Sequence, residues 1–352
     1  MKRACHVLML AVCCALAWSV IGCSAEPDVT TTSTTTGPGA WTNLEPRGDL
    51  PSARNRQAMA YDSRARGVIL FGGLYGTARL DDTWTYDLEA NTWRECRPSG
   101  ESPSARFGHA MAYEAAGDRV ILFGGYDGSG VFDDTWAYDL TADAWTRLVP
   151  GGSPPPPRYG HAMVYDPAIG RVILFGGLGG DGRVVNDIWA YDPAANAWTE
   201  LHPGGDPPPA RYGHAMACEP ASGRLIIHDG CDASGAIFDD IWAYDPATNA
   251  WIELEPRGEA PPARDWHSMV FDSASSSVIM FGGWSGSTVL KDLWAYDPVA
   301  NAWNQLSPTG ASPPARDLHC LVYDLSGARV ILFGGFDGVD LFNDIWAYGR
   351  EP

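Results

Sequence analysis

Lysine is almost absent from this chain of 352 residues: only Lys2 and Lys291 occur. The 24 basic residues are outnumbered by 43 acidic ones, which gives a formal net charge of −19. A chain this acidic repels polyanions, which argues against nucleic-acid binding and against docking on anionic lipid. The 40 glycines and 27 prolines disfavour helix bundles and favour short strands and turns, and a hydrophobic content of 45% excludes wholesale disorder.

Cysteine is scarce beyond the N-terminal region. Four cysteines follow residue 23, and each replaces a different residue of the repeated pattern described below: Cys96, Cys218, Cys231 and Cys320. The two that share one repeat, Cys218 and Cys231, fall at opposite ends of a predicted hairpin, roughly 20 Å apart and beyond disulfide reach. The sequence therefore predicts four unpaired thiols.

The first residues have the character of an export signal. Lys2 and Arg3 precede an apolar stretch, residues 4–20, that is short for a membrane span, and the stretch ends in Val20-Ile21-Gly22-Cys23. This ending resembles a bacterial lipobox, in which the cysteine is lipidated. The resemblance implies a lipoprotein signal peptide over residues 1–22, lipidation of Cys23, and anchoring in the bacterial cell envelope, at the outer membrane if the cell is Gram-negative. An ordinary secretory signal cleaved nearby is the alternative.

A threonine-rich segment follows. Residues 23–40 contain Thr30-Thr31-Thr32-Ser33-Thr34-Thr35-Thr36 and then Gly37-Pro38-Gly39, with almost nothing apolar to bury. This composition predicts a disordered tether that leads to a folded domain over residues 41–352.

Several residue types recur at a period of 52 or 53. Glycine pairs begin at Gly72, Gly124, Gly176, Gly282 and Gly334, and Asp229-Gly230 stands at the missing place. A tryptophan follows each pair, with a tyrosine two residues later: Trp84, Trp136, Trp189, Trp242, Trp294 and Trp346. Another tryptophan is followed by a proline five residues later: Trp41, Trp93, Trp145, Trp198, Trp251 and Trp303. The regularity of these tryptophans indicates core packing between repeats.

One repeat has the pattern of four short strands. In the second copy they are Arg106–Tyr113, the apolar run Arg119–Phe123, the alternating stretch Asp134–Tyr138, and Trp145–Leu148. The six copies cover about residues 54–98, 106–150, 158–203, 211–256, 264–308 and 316–348. The last copy lacks a fourth strand, whereas residues 41–46 carry a fourth-strand pattern without a repeat of their own. We therefore expect residues 41–46 to complete the last copy and close a ring.

A glycine pair after an apolar strand, followed by spaced tryptophan and tyrosine at a period near fifty, resembles the kelch repeat. The resemblance covers residues 41–348. It implies an all-β, six-bladed propeller with four antiparallel strands per blade, the last blade being closed by the N-terminal strand 41–46. It also implies that ligands bind on the face that carries the loops between strands four and one and between strands two and three, here called the 4–1 and 2–3 loops.

Two charged residues recur in every repeat. The arginines, one before each first strand, are Arg54, Arg106, Arg158, Arg211, Arg264 and Arg316. The aspartates, one before each third strand, are Asp82, Asp134, Asp187, Asp240, Asp292 and Asp344. Paired, repeated charges usually serve structure, so we interpret this set as a ring of hydrogen bonds that holds the loops. The alternative, suggested by the kelch resemblance, is that the arginines line the mouth of the central channel.

Histidine occupies one position of strand one in five repeats, and Gln57 takes the sixth place: His109, His161, His214, His267 and His319. Six blades around a channel do not easily bring such side chains within about 4 Å of one centre, which favours a structural role over metal binding. Strand alternation points His228 and Asp229 of the fourth repeat to opposite faces, which favours a degenerate repeat there. No metal and no cofactor is predicted; calcium in acidic loops such as residues 127–130 stays open as an unsupported alternative.

Ligand specificity is expected where the sixfold pattern breaks. Two residues after the repeat arginine, blades two, three and four have Gly108, Gly160 and Gly213, whereas blades five, six and one have Trp266, Leu318 and Arg56. One residue after the arginine, the same blades contrast Phe107, Tyr159 and Tyr212 with Asp265, Asp317 and Asn55. Because the ring closes, blades five, six and one are neighbours. One arc of the mouth therefore differs in chemistry from the other.

Aromatic and acidic residues accumulate around this arc. Flat aromatic rings beside carboxylates suit a sugar, because C–H faces stack on the ring while a carboxylate accepts from hydroxyls. The ligand-binding candidates are Trp266, Trp284, Asp265, Asp317, Arg56, Asn55, Tyr126, Asp127, Phe336 and Asp337. Drift of the loop sequences, with an aromatic lid over the channel, is the alternative.

No nucleophile and base occur together in a distinctive context, so no catalytic residue is assigned. The sequence favours a monomeric, envelope-tethered binding module that holds a glycan or a protein partner. Two alternatives stay open. One is a carbohydrate-active enzyme of the mutarotase or copper-oxidase type, which the kelch resemblance brings in. A mutarotase would need only acid–base groups such as Asp265, Asp317 or Arg56, whereas the oxidase would need paired tyrosine and histidine copper ligands, and no tyrosine–histidine set stands outside the repeat pattern. The other is a purely structural envelope scaffold.

Overall fold

The structure is a computed structural model that describes residues 39–349, which form strands and turns. Within this range no helix is present that could cross a membrane. The strands make six antiparallel sheets. The innermost strand of each sheet contacts the innermost strands of its two neighbours, and the last contacts the first, which confirms a closed six-bladed propeller. The predicted signal peptide, Cys23 and the tether up to residue 38 lie outside the described residues.

The strands follow the repeats closely. Blade one contains β2 (Ala58–Asp62), β3 (Gly67–Tyr75), β4 (Ala78–Asp87) and β5 (Thr92–Cys96). Blade two contains β6 (Ala110–Glu114), β7 (Arg119–Phe123), β8 (Thr135–Asp139) and β9 (Ala144–Leu148). Blade three contains β10 (Arg158–Tyr159), β11 (Ala162–Asp166), β12 (Arg171–Gly179), β13 (Val184–Asp192) and β14 (Ala197–Leu201).

The second half of the ring is built in the same way. Blade four contains β15 (Ala215–Cys218), β16 (Leu225–His228), β17 (Ile241–Asp245) and β18 (Ala250–Leu254). Blade five contains β19 (Ser268–Asp272), β20 (Ser277–Phe281), β21 (Leu293–Asp297) and β22 (Ala302–Leu306). Blade six contains β23 (Cys320–Asp324), β24 (Arg329–Phe333), β25 (Ile345–Gly349) and, from the start of the domain, β1 (Ala40–Asn43).

The N-terminal strand closes the last blade, as predicted. β1 pairs antiparallel with β25, with Trp41 opposite Tyr348. The strand covers residues 40–43 rather than 41–46, because Glu45 adopts a left-handed φ of 45° that extended backbone does not allow. Strand order places all 4–1 and 2–3 loops on one face of the disc. β1 begins and β25 ends on the opposite face, beside the turns between strands three and four.

The core lies between the blades. Val-Ile-Leu-Phe runs of the second strands, such as residues 68–71, are fully buried because neighbouring blades cover both of their faces. Six clusters of buried apolar side chains occupy the six seams. In the seam between blades six and one, Val68 and Leu70 pack with Ile331 and Phe333. At roughly 1.5–3 kcal/mol for each large buried side chain, these seams supply the main driving force for ring closure.

The first strands are shorter than predicted. In blade two the predicted strand Arg106–Tyr113 is wrong at its start: β6 begins only at Ala110. The cause is Gly108, whose φ of 65° turns the chain out of the extended conformation toward the propeller axis. The three residues after the repeat arginine are therefore loop in five blades, whereas in blade three the first of them, Tyr159, belongs to the short strand β10. These residues form the floor of the site described next.

Candidate functional site

Each repeat arginine forms a clasp with the aspartate of its own blade. In all six blades two guanidinium nitrogens donate to the two carboxylate oxygens over 2.5–2.9 Å. The same aspartate accepts from the indole N–H two residues later, as Asp82 does from Trp84 over 2.7 Å. The arginines are at most 1% exposed, so they do not line the surface of the mouth. Burial opposes ionisation, but the Arg106 guanidinium still holds the pKa of Asp134 below its usual value.

Each 4–1 loop adds to the 2–3 loop of its own blade. The residue after the clasp arginine pairs antiparallel with a residue that follows the apolar run of strand two. This partner lies in the 2–3 loop in four blades and in the extended second strand in blades one and three. The pairs are Asn55 with Leu74, Phe107 with Tyr126, Tyr159 with Leu178, Tyr212 with Cys231, Asp265 with Trp284, and Asp317 with Phe336. We call these twelve residues, together with the six axial residues that follow, the mouth. The structure therefore places both Trp266 and Trp284 on the face predicted to bind a ligand.

Six residues near the axis form a closed ring of main-chain hydrogen bonds between blades. Each N–H donates to the carbonyl oxygen of the previous blade over 2.7–3.0 Å. All six have φ between 53° and 66°. The members of this axial ring are Arg56, Gly108, Gly160, Gly213, Trp266 and Leu318. Three positions are glycine, for which this conformation is free of strain, and three carry side chains at a cost of about 1 kcal/mol each.

The Trp266 indole lies across the axial ring. A Cβ atom at Gly160 or at Gly213 would come within 3.0 Å of the indole, so glycine at these two positions makes room for it. The Arg56 guanidinium lies 5.4 Å from the Trp266 ring and 5.5 Å from the Phe107 ring, a cation–π arrangement with two aromatic partners. Trp266 therefore covers the channel on the side of blades three and four, with Arg56 beside it.

Arg56 interacts with charged and polar groups of several blades. Burial lowers its pKa, and the charge of Asp317, followed by Tyr159, Tyr212 and Asp265, acts in the opposite direction. Within residues 39–349 Arg56 forms no ion pair closer than 4.0 Å, and its Nε atom is buried without a hydrogen-bond partner. The guanidinium at the centre of the mouth therefore retains unused donor capacity.

The polar arc of the mouth holds unused acceptors. Asn55 Oδ1, Asp265 Oδ1 and Asp317 Oδ1 are buried and have no hydrogen-bond partner among the described residues. Asp265 as a whole is only 7% exposed. Burial, reinforced by the charge of Asp265, raises the pKa of Asp317 to about 6, and burial also raises the pKa of Asp265. Buried acceptors without a partner are costly, at about 1–3 kcal/mol each, so their presence on three consecutive blades indicates a site.

The opposite arc is aromatic. Tyr126 and Tyr159 stack with ring centroids 5.3 Å apart, Phe107 meets Tyr126 edge-on at 5.4 Å, and Tyr212 lies 5.8 Å from Trp266. The sequence pattern identified the two arcs, but it did not place Phe107, Tyr159 and Tyr212 among the candidate ligand residues. The signal that could have identified them is their repeat position: they directly follow the repeat arginine, as the candidates Asp265, Asp317 and Asn55 do.

Two of the predicted acidic candidates have a local role. Asp127 Oδ1 accepts from the backbone N–H groups of Ser129 and Gly130, and Asp337 Oδ1 accepts from those of Val339 and Asp340. These carboxylates cap the turns at the tips of their own 2–3 loops. Their neighbours Tyr126 and Phe336 are the residues of these loops that pair with the 4–1 loops.

The histidines lie beneath the axial ring and are buried. Burial lowers the pKa of His109, His214 and His319 to about 3, so these imidazoles are neutral at physiological pH. Four of the five pack edge-on against a phenylalanine of the preceding blade, as His109 does against Phe71, and His267 packs edge-on against His228 instead. The axial ring, the histidines and Gln57 line a small open pocket of about 120 Å³. A larger pocket of about 550 Å³ lies off the axis, lined by Val131, Pro156 and Arg183 among others, away from the unpaired polar groups of the mouth.

Blade four departs from the prediction. His228 and Asp229 do not point to opposite faces: His228 Nδ1 lies 3.3 Å from Asp229 Oδ2. The alternation argument was wrong because Asp229 has a left-handed φ of 51° and is not extended backbone. Asp229 Oδ2 also accepts from the backbone N–H of Arg264 over 3.0 Å, which joins blades four and five. Within residues 39–349 no group of three or more His, Cys, Asp or Glu side chains is arranged to hold a metal ion.

The four cysteines of the propeller are free thiols. Burial raises the pKa of Cys231 and of Cys320 to about 12, so neither thiol is ionised at neutral pH.

Comparisons with known proteins agree with this architecture. The chain matches the family model described as "KLHDC2/KLHL20/DRC7 Kelch-repeats domain" over residues 22–201 and 168–351. It belongs to the kelch-repeat family. This kelch propeller is 34% identical over 272 residues to the putative adagio-like protein 2 of Oryza sativa subsp. japonica, and 33% identical over 270 residues to Adagio protein 3 of Arabidopsis thaliana; each match covers 70% of this chain. It is 30% identical over 312 residues to the Tip elongation aberrant protein 1 of Schizosaccharomyces pombe, a match that covers 85% of this chain.

These relatives are longer proteins. The matched region covers 41% of the rice and Arabidopsis proteins and 26% of the yeast protein. The similarity therefore concerns their kelch-repeat portions.

Proposed function

We propose that this kelch propeller is a binding module that holds a glycan or a protein partner over its mouth. The observation that carries the proposal is the group of unpaired buried polar atoms around the axis, on Asn55, Asp265, Asp317 and Arg56. In the clasps each buried arginine is hydrogen-bonded to its aspartate, whereas in the mouth several buried donors and acceptors have no hydrogen-bond partner. Kelch propellers generally mediate protein interactions, which supports a role in binding.

The test compares the two faces of the disc. The mouth variant carries Asp265→Asn and Asp317→Asn, which remove charge but keep side-chain volume. The control carries Asp139→Asn and Asp297→Asn, at turns between strands three and four on the opposite face. Both variants and the unmodified full chain would be used for capture of partners from envelope extracts and for a glycan array. We expect at least tenfold weaker binding by the mouth variant only; equal binding by all three proteins would contradict the proposal.

We also propose that the propeller is exported and lipid-anchored to the bacterial envelope through Cys23. The support for this part is the lipobox-like sequence of residues 20–23. Metabolic labelling with a fatty-acid analogue, followed by membrane fractionation, tests it. Labelling should be lost in Cys23→Ser and retained in Cys96→Ser; label that persists in Cys23→Ser would argue against the anchor.

A further inference from the structure

The polar groups of the mouth have opposite hydrogen-bonding characters. Asn55, Asp265 and Asp317, on three consecutive blades, each leave a buried oxygen that accepts hydrogen bonds. Arg56, which interacts electrostatically with both carboxylates, has only N–H groups, which donate. A ligand that satisfies this site must therefore donate and accept within a small area.

Three classes of ligand group can be compared by charge. A lysine or arginine side chain would donate to Asp265 and Asp317, but it would lie beside the positive charge of Arg56 and leave its N–H groups unpaired. A carboxylate would accept from Arg56, but it would lie beside two carboxylates in a chain with a net charge of −19. A hydroxyl donates to a carboxylate and accepts from a guanidinium, so it alone suits both sides.

Aromatic side chains lie beside the polar groups of the mouth. The Trp266 indole is partly exposed beside Arg56, and Tyr159 and Tyr212 are partly exposed on the neighbouring blades. Aromatic faces at the edge of a polar cluster contact the C–H face of a sugar ring, whose hydroxyls lie around its rim. An uncharged sugar ring with hydroxyls on adjacent carbons would thus use both arcs of the mouth at once.

We propose that the mouth binds a neutral sugar residue, with adjacent hydroxyls joining Arg56 to Asp265 and Asp317 and a C–H face on Trp266. This inference rests on the binding role proposed above and specifies its ligand. It distinguishes neutral sugars from uronic acids, which carry a carboxylate, and from hexosamines with a free amine.

Two substitutions of arginine by glycine give a matched test. Arg56→Gly removes the guanidinium of the mouth and installs the residue that blades two, three and four have at this position. Arg66→Gly removes an exposed guanidinium from the turn between β2 and β3, on the face away from the mouth. Both positions have a left-handed backbone, with φ of 54° and 53°, which glycine adopts readily.

The measurement uses the full chain on an array of neutral mono- and oligosaccharides, their uronic-acid and free-amine counterparts, and lysine-rich and aspartate-rich peptides. Hits would be titrated by calorimetry. We expect binding to neutral sugars, at least tenfold weaker in Arg56→Gly and in Asp265→Asn, and changed less than threefold in Arg66→Gly. Replacing one hydroxyl of the bound sugar by hydrogen should also weaken binding at least tenfold.

The outcomes separate the two proposals. If no neutral sugar binds, or if uronic acids, amines or peptides bind instead, the sugar inference is overturned. The binding role still stands in that case, provided that the Asp265/Asp317 variant loses its captured partner. If mouth variants lose neither sugar nor partner, both proposals fail. Equal loss in Arg66→Gly and Arg56→Gly would also overturn the inference, because the effect would then not come from the guanidinium of the mouth.

Discussion

Two concentric sets of residues show how one repeat serves two purposes. The Arg–Asp clasps are alike in all six blades. In each clasp the buried guanidinium forms an ion pair with the aspartate of its own blade. The axial ring has the same sixfold backbone, but its side chains differ: three glycines face Arg56, Trp266 and Leu318. Where the six copies agree, the residues hold the fold. Where the backbone stays the same and the side chains diverge, the molecule gains chemistry that a symmetric ring would not have.

Both sets of residues depend on closure of the ring by β1. Deletion of residues 40–47 removes this strand and should have the largest effect on stability. The deletion removes β1, leaves β25 with an open edge and uncovers the seam that Trp41 fills beside Phe281. We expect loss of more than about 5 kcal/mol, enough to abolish cooperative unfolding. Differential scanning calorimetry would show it. A thermal midpoint within a few degrees of the parent would refute ring closure by this strand.

The clasps should respond strongly to loss of one charge. Asp187→Asn leaves the Arg158 guanidinium, which is 1% exposed, without its carboxylate. We expect a loss of about 3–5 kcal/mol in urea unfolding, because an uncompensated charge stays buried. The matched control is Asp192→Asn, whose partner Arg171 is 39% exposed and whose loss should cost less than about 1 kcal/mol. Similar losses in the two variants would remove the distinction between clasp and surface pair.

The mouth should show the opposite behaviour, because its carboxylates are not fully satisfied. Burial raises the pKa of Asp317 to about 6, so the folded state holds a proton that the unfolded state releases near pH 4. The resulting stability is present below pH 4 and is lost as the pH rises through 6. Asp317→Asn should therefore stabilise the protein by about 1–3 kcal/mol at pH 7.5 and by less at pH 4.5. A gain that does not change with pH would contradict this origin.

The smallest effects concern the glycines of the axial ring, of which Gly160 lies under the Trp266 indole and Gly108 does not. Gly108→Ala should cost about 1 kcal/mol, because φ is 65° and the new Cβ meets nothing closer than 3.4 Å. Gly160→Ala has the same φ but brings its Cβ within 3.0 Å of the indole, so its cost should be larger. A double-mutant cycle with Trp266→Ala should remove the excess. An excess that persists without the indole would show that Trp266 does not lie across the ring.

Most of the fold could be predicted from the sequence, because the repeat consists of apolar runs and tryptophans that are buried in the same way in every blade. The Val-Ile-Leu-Phe runs predicted buried second strands, and the unpaired pattern at Trp41 predicted closure. The errors arose where the local backbone conformation determines the direction of a side chain or the start of a strand. His228 and Asp229 were assigned to opposite faces on the assumption of extended chain, and Asp229 is left-handed. The first strand of blade two was extended across Gly108 for the same reason.

The site was predictable in part. The contrast between Asp265, Asp317 and Asn55 and their counterparts in blades two, three and four can be read from aligned repeats. The axial ring of hydrogen bonds cannot, since it depends on φ angles shared by glycine, arginine, tryptophan and leucine. Nor does the pattern show that Trp266 needs two glycines from other blades beneath its indole. These are contacts between distant parts of the chain that only the closed ring creates.

The location of the two ends of the propeller has a practical consequence. Ala40 and Gly349 are paired neighbours on the face away from the mouth. A sensor surface, a fluorescent protein or a second domain could thus be attached to either end, and the disc would still present Trp266 and Arg56 outward. The same arrangement allows circular permutation: a short linker between the two ends, with new termini at a turn of the same face, would preserve all six blades and the orientation of the mouth.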